Sequence, residues 1–198
     1  MYRVAQSVAF LAGTYLLLNG RPLLGLLLLF SMFGSWFFDR FANRVVKGSG
    51  RNLSAQSSDF HEKCFVADLH ADVCLWRRDH MKRNKRGHVD LPRLIEGNVS
   101  LQFVTIPTKL VLTRRLPRFF LPDLFFWTAI MSLQRPRTWF FASARAELQL
   151  ERVNAWIKNS RGSLKMIKNA HDLQGLSQNQ NTDSQNIGIM LGLEGAHI

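Results

Sequence analysis

Cysteine is scarce in this chain of 198 residues: there are two, Cys64 and Cys74. Two thiols exclude a disulfide-stapled scaffold and a four-cysteine zinc module. Acid is scarce as well, with 14 Asp and Glu against 26 Lys and Arg and a formal net charge of +12. No acidic residue precedes Asp39. This excess of base bears on partners and topology and says nothing about fold. With 46% hydrophobic and 20% charged residues, the composition excludes a disordered, collagen-like or low-complexity chain. No internal repeat is visible. No recognised nucleic-acid module accompanies the charge, so no nucleic-acid partner is expected.

What is present begins with two apolar runs, Val4–Leu18 and Leu23–Phe38, separated by Asn19-Gly20-Arg21-Pro22, a turn by composition. A bilayer span takes about 20 apolar residues, and each run alone falls a little short. One arrangement is a tight hairpin of two short helices. Another is a single span over Leu23–Phe38 preceded by an interfacial segment. Arg21 and Pro22 sit badly inside a span and favour the hairpin. A cleaved signal peptide fits less well, because Met1-Tyr2-Arg3 is only weakly basic and no small-x-small site separates the runs. The expectation is therefore a transmembrane helix or helical hairpin anchoring residues 1–45. Arg40, Arg44, Lys47 and Arg51 follow the second run, against Arg3 before the first. The positive-inside bias then puts the remainder in the cytoplasm, at a bacterial-type inner membrane, with lipid as a partner. Free thiols suit that compartment.

Residues 46–58, rich in Gly, Ser, Asn and Gln, read as a linker, with a soluble part from 59 to 198. There the pattern alternates between strand and helix. Cys64–Leu69 reads as a strand. Asp90–Gly97 reads as a short helix, with Asp90 as cap, Pro92 in the first turn and Gly97 as terminator. Val99–Ile106 is a second strand, closed by Pro107. Thr138–Asn159 has helical periodicity, with Leu148, Val153, Trp156 and Ile157 on one side. Leu164–Ile167 is a third strand, Asn169–Leu176 a short helix, Ser177–Asn186 a polar loop and Ile187–Leu193 a fourth strand. This alternation argues an α/β fold with a parallel sheet of βα units.

Asp68-Leu69-His70-Ala71-Asp72 closes the first strand. Residues two apart on a strand share a face, so His70 and Asp72 could grip one metal ion together. An imidazole and a carboxylate suit zinc, and also iron or manganese. Taken alone, a His-x-Asp is more often a buried His beside a solvated Asp. Leu193-Glu194-Gly195-Ala196-His197 closes the fourth strand. Functional groups of a parallel βα barrel collect at the C-terminal ends of its strands. A Glu at that point could bridge two ions, as two-metal hydrolases require, or could make an ordinary salt bridge.

The segments FVADLHADV, GHVDLPRLIEGNVSLQFV and IGIMLGLEGAH stand in that order between Cys64 and Ile198. Together they resemble the membrane (renal-type) dipeptidase family of zinc peptidases, relatives of the amidohydrolases. The resemblance implies a (β/α)8 TIM barrel with two Zn2+ ions, present here as its N-terminal half, truncated after the fourth strand. It implies His70 and Asp72 as ligands of one zinc. Glu194 would be the ligand bridging both ions and a catalytic residue. His197 matches a family position and is expected to shape the site rather than ligate. The implied reaction is hydrolysis of dipeptides, or similar small amides, by a metal-bound hydroxide. The family draws two further histidine ligands, a substrate-binding Arg and a catalytic Asp from later strands. The chain beyond residue 45 is also far short of the roughly 250 residues of a full barrel. It is therefore expected to hold metal poorly and to be inactive alone.

Two features lie outside that resemblance. Arg77, Arg78, Lys82, Arg83, Lys85 and Arg86 crowd the loop after the first strand. They form a solvated basic loop, or attract an anionic substrate or lipid. Arg118–Trp127 and Trp139-Phe140-Phe141 are unusually aromatic. They form a packed helix or a segment lying in a membrane interface. Three function classes result: a membrane-anchored zinc dipeptidase-like hydrolase, a non-catalytic membrane remnant or binding module, and a metal-dependent amidohydrolase of another amide or ester. A homo-oligomer is compatible with all three.

Overall fold

The computed structural model describes residues 2–46, 54–109, 123–132, 134–178 and 186–195. In chain order its helices and strands are α1 (Tyr2–Leu18), α2 (Pro22–Ala42), α3 (Ala55–Glu62), β1 (Val66–Ala71), α4 (Leu91–Glu96), β2 (Val99–Pro107), α5 (Leu124–Met131), α6 (Pro136–Phe140), α7 (Ala142–Asn159), β3 (Leu164–Met166), α8 (Ala170–Gln178) and β4 (Ile187–Glu194). They fall into two compact units. One holds Met1–Asn43 and Thr108–Arg145, the other Arg44–Pro107 and Ala146–Ala196.

In the first unit, α1 and α2 fold back on one another through the turn at 19–21, with Pro22 opening α2. They cross closely at Gly25. A Cβ there would stand 2.6 Å from the Gly13 carbonyl oxygen and 2.9 Å from the Leu17 nitrogen, so only glycine fits. The expected transmembrane anchor is corrected at this point. Among the described residues, no helix is long and apolar enough to cross a membrane. The 17 residues of α1 rise only about 25 Å, against about 30 Å of hydrocarbon. The apolar run of α2 is shorter still before Asp39 and Arg40 interrupt it.

In the same unit, α5 lies against α2. Asp123 caps α5, its carboxylate accepting from the Phe125 N–H at 3.0 Å. Arg145 is nearly buried and pairs with Asp123. Its guanidinium also donates to the carbonyls of Thr138 (2.7 Å), Thr108 (2.8 Å) and Trp139 (3.2 Å). The long helix expected from Thr138 is interrupted at Phe141, whose backbone is extended (φ −113°, ψ 122°). Of the aromatic stretch, residues 118–122 lie outside the described residues. Phe126 meets Trp127 and Phe140 edge-on, while Trp127, Phe140 and Phe141 stay exposed.

In the second unit the expected linker is partly helix. Ser54 accepts from the Ser57 N–H and opens α3. Asn98 then ties the end of α3 to the turn before β2, its side-chain amide donating to the carbonyls of His61, Glu62 and Cys64. Asp90 caps α4 as expected, accepting from the Arg93 N–H at 3.1 Å. It is fully buried, so it also pairs with the Arg93 guanidinium and accepts the Asn84 N–H at 2.9 Å. These contacts brace the connection from β1 to α4.

The strands form a parallel sheet in the order β1-β2-β4-β3. The closed barrel expected from the resemblance is not shown by this sheet. A (β/α)8 barrel places successive strands side by side, whereas here β4 lies between β2 and β3, and the described sheet has four strands. The two pairings of β4 differ in length. β4 pairs with β2 continuously from Leu101↔Gly188 to Pro107↔Glu194, while β3 reaches only from Leu164↔Ile187 to Met166↔Ile189. Val104, Ile187 and Ile189 form the centre of the core, covered by Val153 and Trp156 of α7 and by Leu91 and Leu94 of α4. Burying such side chains stabilises the unit by about 1.5–3 kcal/mol each.

Candidate metal centre

β1 ends at Ala71, and its register with β2 slips between Asp68 and Ala71. Asp72 is therefore not on the strand, as alternation would have it. With φ −83° and ψ 41°, it opens the 3-10 turn Val73–Leu75. Burial of Val73 and Cys74 draws that turn inward. Arg152 fixes it by donating to the carbonyls of Cys74 (2.8 Å) and Leu75 (3.0 Å). Burial also pushes the Cys74 thiol up to about 12, opposed by nearby Arg152. Cys74 is thus a packing residue rather than a nucleophile.

The irregular strand end nevertheless brings the predicted side chains together. His70 Nε2 stands 3.6 Å from Asp72 Oδ1 and 3.6 Å from Glu194 Oε2. One ligand atom from each of the three residues lies within 4.8 Å of the others. Glu194 arrives as the last residue of β4, level with Pro107 at the end of β2. The side chains of His70, Asp72 and Glu194 are 61%, 41% and 50% exposed, so a small molecule in solvent can reach them. His197 lies outside the described residues.

The donor set fits a zinc ion. Ligand atoms about 2 Å from a tetrahedral ion stand about 3.4 Å from one another, close to the two 3.6 Å separations of His70 Nε2 from the carboxylates. One imidazole with two carboxylates is a borderline-hard set that also admits manganese or iron. Three protein donors leave a fourth position for water or substrate.

Three residues behind the cluster were not singled out from the sequence. The Asp68 carboxylate accepts the His70 backbone N–H at 3.2 Å and the Gln102 amide at 2.9 Å. The Thr105 hydroxyl donates to Asp72 Oδ1. Gln102 and Thr105 are both buried. Their signal in the sequence is polarity inside the apolar strand SLQFVTIP, where a buried polar group needs a partner. In the basic loop, Lys82 pairs with Asp79 at 3.3 Å and Arg83 with Glu96. Part of that charge is thus compensated locally.

Comparison with known proteins bears on the same residues. The sequence model of the membrane dipeptidase family (peptidase family M19) matches residues 54–198. The crystal structure of dipeptidase AC, a metallopeptidase of family M19, is similar at 20% identity with a TM-score of 0.45. The similarity covers 67% of this chain and 37% of that one, so the chain spans well under half of that structure's length. No curated protein matches.

Proposed function

From the premise that this chain belongs to the membrane dipeptidase family, peptidase family M19, we propose that it carries the zinc site of a dipeptidase-like hydrolase. The observation that supports this reading is the convergence of His70, Asp72 and Glu194 at the ends of β1 and β4. His70 would supply the imidazole ligand, and Asp72 and Glu194 the carboxylates. Glu194 has a second oxygen with which to bridge a second ion. When bound, zinc would polarise an amide carbonyl and bring the pKa of water towards neutrality. Asp68 holds the His70 backbone, and through it the direction of the imidazole. The exposure of all three side chains leaves an approach for a dipeptide or similar small amide.

The test is zinc retention by the full chain after gel filtration, measured by elemental analysis. His70→Ala and Glu194→Gln are each expected to weaken zinc binding at least tenfold, in line with loss of a direct ligand. Equal retention by both variants and the parent would overturn the assignment. Because the three donors complete at most one ion's set, the chain alone is expected to leave dipeptides uncleaved. Zinc-dependent hydrolysis by it would overturn that part. A chain that folds and binds no metal would favour the non-catalytic binding module.

A lipid surface is the second partner we propose. Its support is the exposure of Phe10, Leu11, Tyr15, Leu18, Leu23, Leu24, Leu26, Phe37 and Phe41 on α1 and α2. Asp39 is the sole acid among residues 1–58, against five arginines and one lysine. Apolar exposure flanked by base suits an anionic interface. The full chain is expected to float with vesicles containing phosphatidylglycerol. Absence of flotation at low salt would overturn this reading.

A further inference from the structure

We propose that Thr105 is a positioning residue that holds the Asp72 carboxylate for metal binding; this rests on the zinc-site reading above. Asp72 needs such a support. It stands just past the end of β1, outside the ladder that would otherwise fix its backbone. The side chains of its neighbours on the chain, Ala71 and Val73, are buried and apolar and carry no donor for its carboxylate. Thr105 comes from the adjacent strand β2, level with Gly192 of β4 and two residues before Pro107, which pairs with Glu194. Its side chain is buried, and its hydroxyl donates to Asp72 Oδ1.

That oxygen is the one standing 3.6 Å from His70 Nε2. A carboxylate oxygen accepts more than one partner, so the bond fixes the rotation of the group and leaves lone pairs for an ion. A valine at 105 would fill the same space with no donor. The carboxylate would then rotate freely, and an ion would have to order it on binding. A β-branched residue has few χ1 choices, so the hydroxyl is held in place by the strand itself. The arrangement parallels that on the other ligand, where Gln102 on the same strand holds Asp68 and Asp68 holds the His70 backbone. Strand β2 would thus set the direction of two ligands while supplying none.

The experiment titrates the full chain with Co2+ alone, following its visible absorption, for the parent, Thr105→Val and Thr105→Ser. The valine variant is expected to bind about tenfold more weakly, in the range for loss of a hydrogen bond to a ligand, with an altered band shape. The serine variant, which keeps the hydroxyl, is expected to stay within about twofold of the parent. Equal affinity and spectrum for valine and parent would overturn the role of Thr105 while leaving the metal site standing. Failure of the parent itself to bind Co2+ would overturn the zinc-site reading, and this inference with it. Should the valine variant not fold, Thr105→Ala against Thr105→Ser decides. Both lack the methyl group, so equal binding by the two would overturn the role of the hydroxyl.

Discussion

In the helical hairpin, Leu18, Leu23 and Phe41 point their side chains into solvent, whereas in the sheet Val104, Ile187 and Ile189 are wholly enclosed. The polar groups are placed the other way round. The sheet presents His70, Asp72 and Glu194 at its strand ends, while the other unit buries Arg145 against Asp123 and three backbone carbonyls. Apolar residues on the sheet and on the helices facing it therefore stabilise the fold, and those on the outside of the hairpin do not. The two regions share a hydrophobic composition and differ in what that composition does. A run of leucines is a core only where a second layer covers it.

The sharpest way to break this contrast is a pair of truncations. Trp156 is 4% exposed and packs on the sheet, and Leu23 is 77% exposed on α2. Trp156→Ala is expected to lower stability by about 4 kcal/mol, the scale for emptying a buried aromatic site. Leu23→Ala is expected to change it by less than about 0.5 kcal/mol. Urea denaturation of both variants measures this directly. Similar losses would mean that the hairpin's outer face is covered after all.

A somewhat smaller effect is expected at Asp90, which joins cap, ion pair and loop anchor in one buried carboxylate. Asp90→Ala leaves the Arg93 guanidinium without that partner and α4 without its cap. The expected cost is about 3 kcal/mol, again by urea denaturation. A loss below about 1 kcal/mol, the range of a surface pair, would show that Arg93 finds compensation in solvent.

How far the sequence could be read follows the same division. Where a rule is local, the expectation and the structure agree. The Asp90 cap, Pro92 in the first turn and the Gly97 end of α4 depend on residues a few positions apart. The starts of β2 and β4 follow from apolar runs bounded by turn residues. Where the outcome depends on pairing between distant segments, the sequence was mute. Nothing in Leu164–Met166 says that so short a strand will take the edge and leave β4 beside β2. The convergence of His70 with Asp72 was anticipated for an incomplete reason. Strand alternation would have aligned them, but the alignment comes from the turn after Ala71, the inward pull of Val73 and Cys74, and the Thr105 hydroxyl. Helix α3 was hidden because Gly, Ser, Asn and Gln weigh towards a linker, although Ser54 stands where a cap belongs.

The smallest expected effect concerns His80, which lies under α7 with its ring centroid 5.2 Å from that of Trp156. Burial holds its pKa below the usual 6.5, helped by Arg78 and opposed by the Val89 and Val73 carbonyls and by Asp90. The ring is therefore neutral in the folded unit at neutral pH. The unfolded chain takes up a proton as pH falls through 6.5, and the folded chain does so only at lower pH. In between, the unfolded state binds more protons, so stability contributed by the neutral ring is complete above about pH 6.5 and declines below it. One such group gives a slope of at most about 1.4 kcal/mol per pH unit. His80→Phe keeps a ring beside Trp156 and removes the titration. Urea denaturation of the parent between pH 8 and 5 is expected to lose stability below pH 6.5, with a flatter profile for the phenylalanine variant. Identical profiles would mean that His80 takes up its proton as readily in the folded unit as in the unfolded chain, so that burial under α7 does not hold the ring neutral.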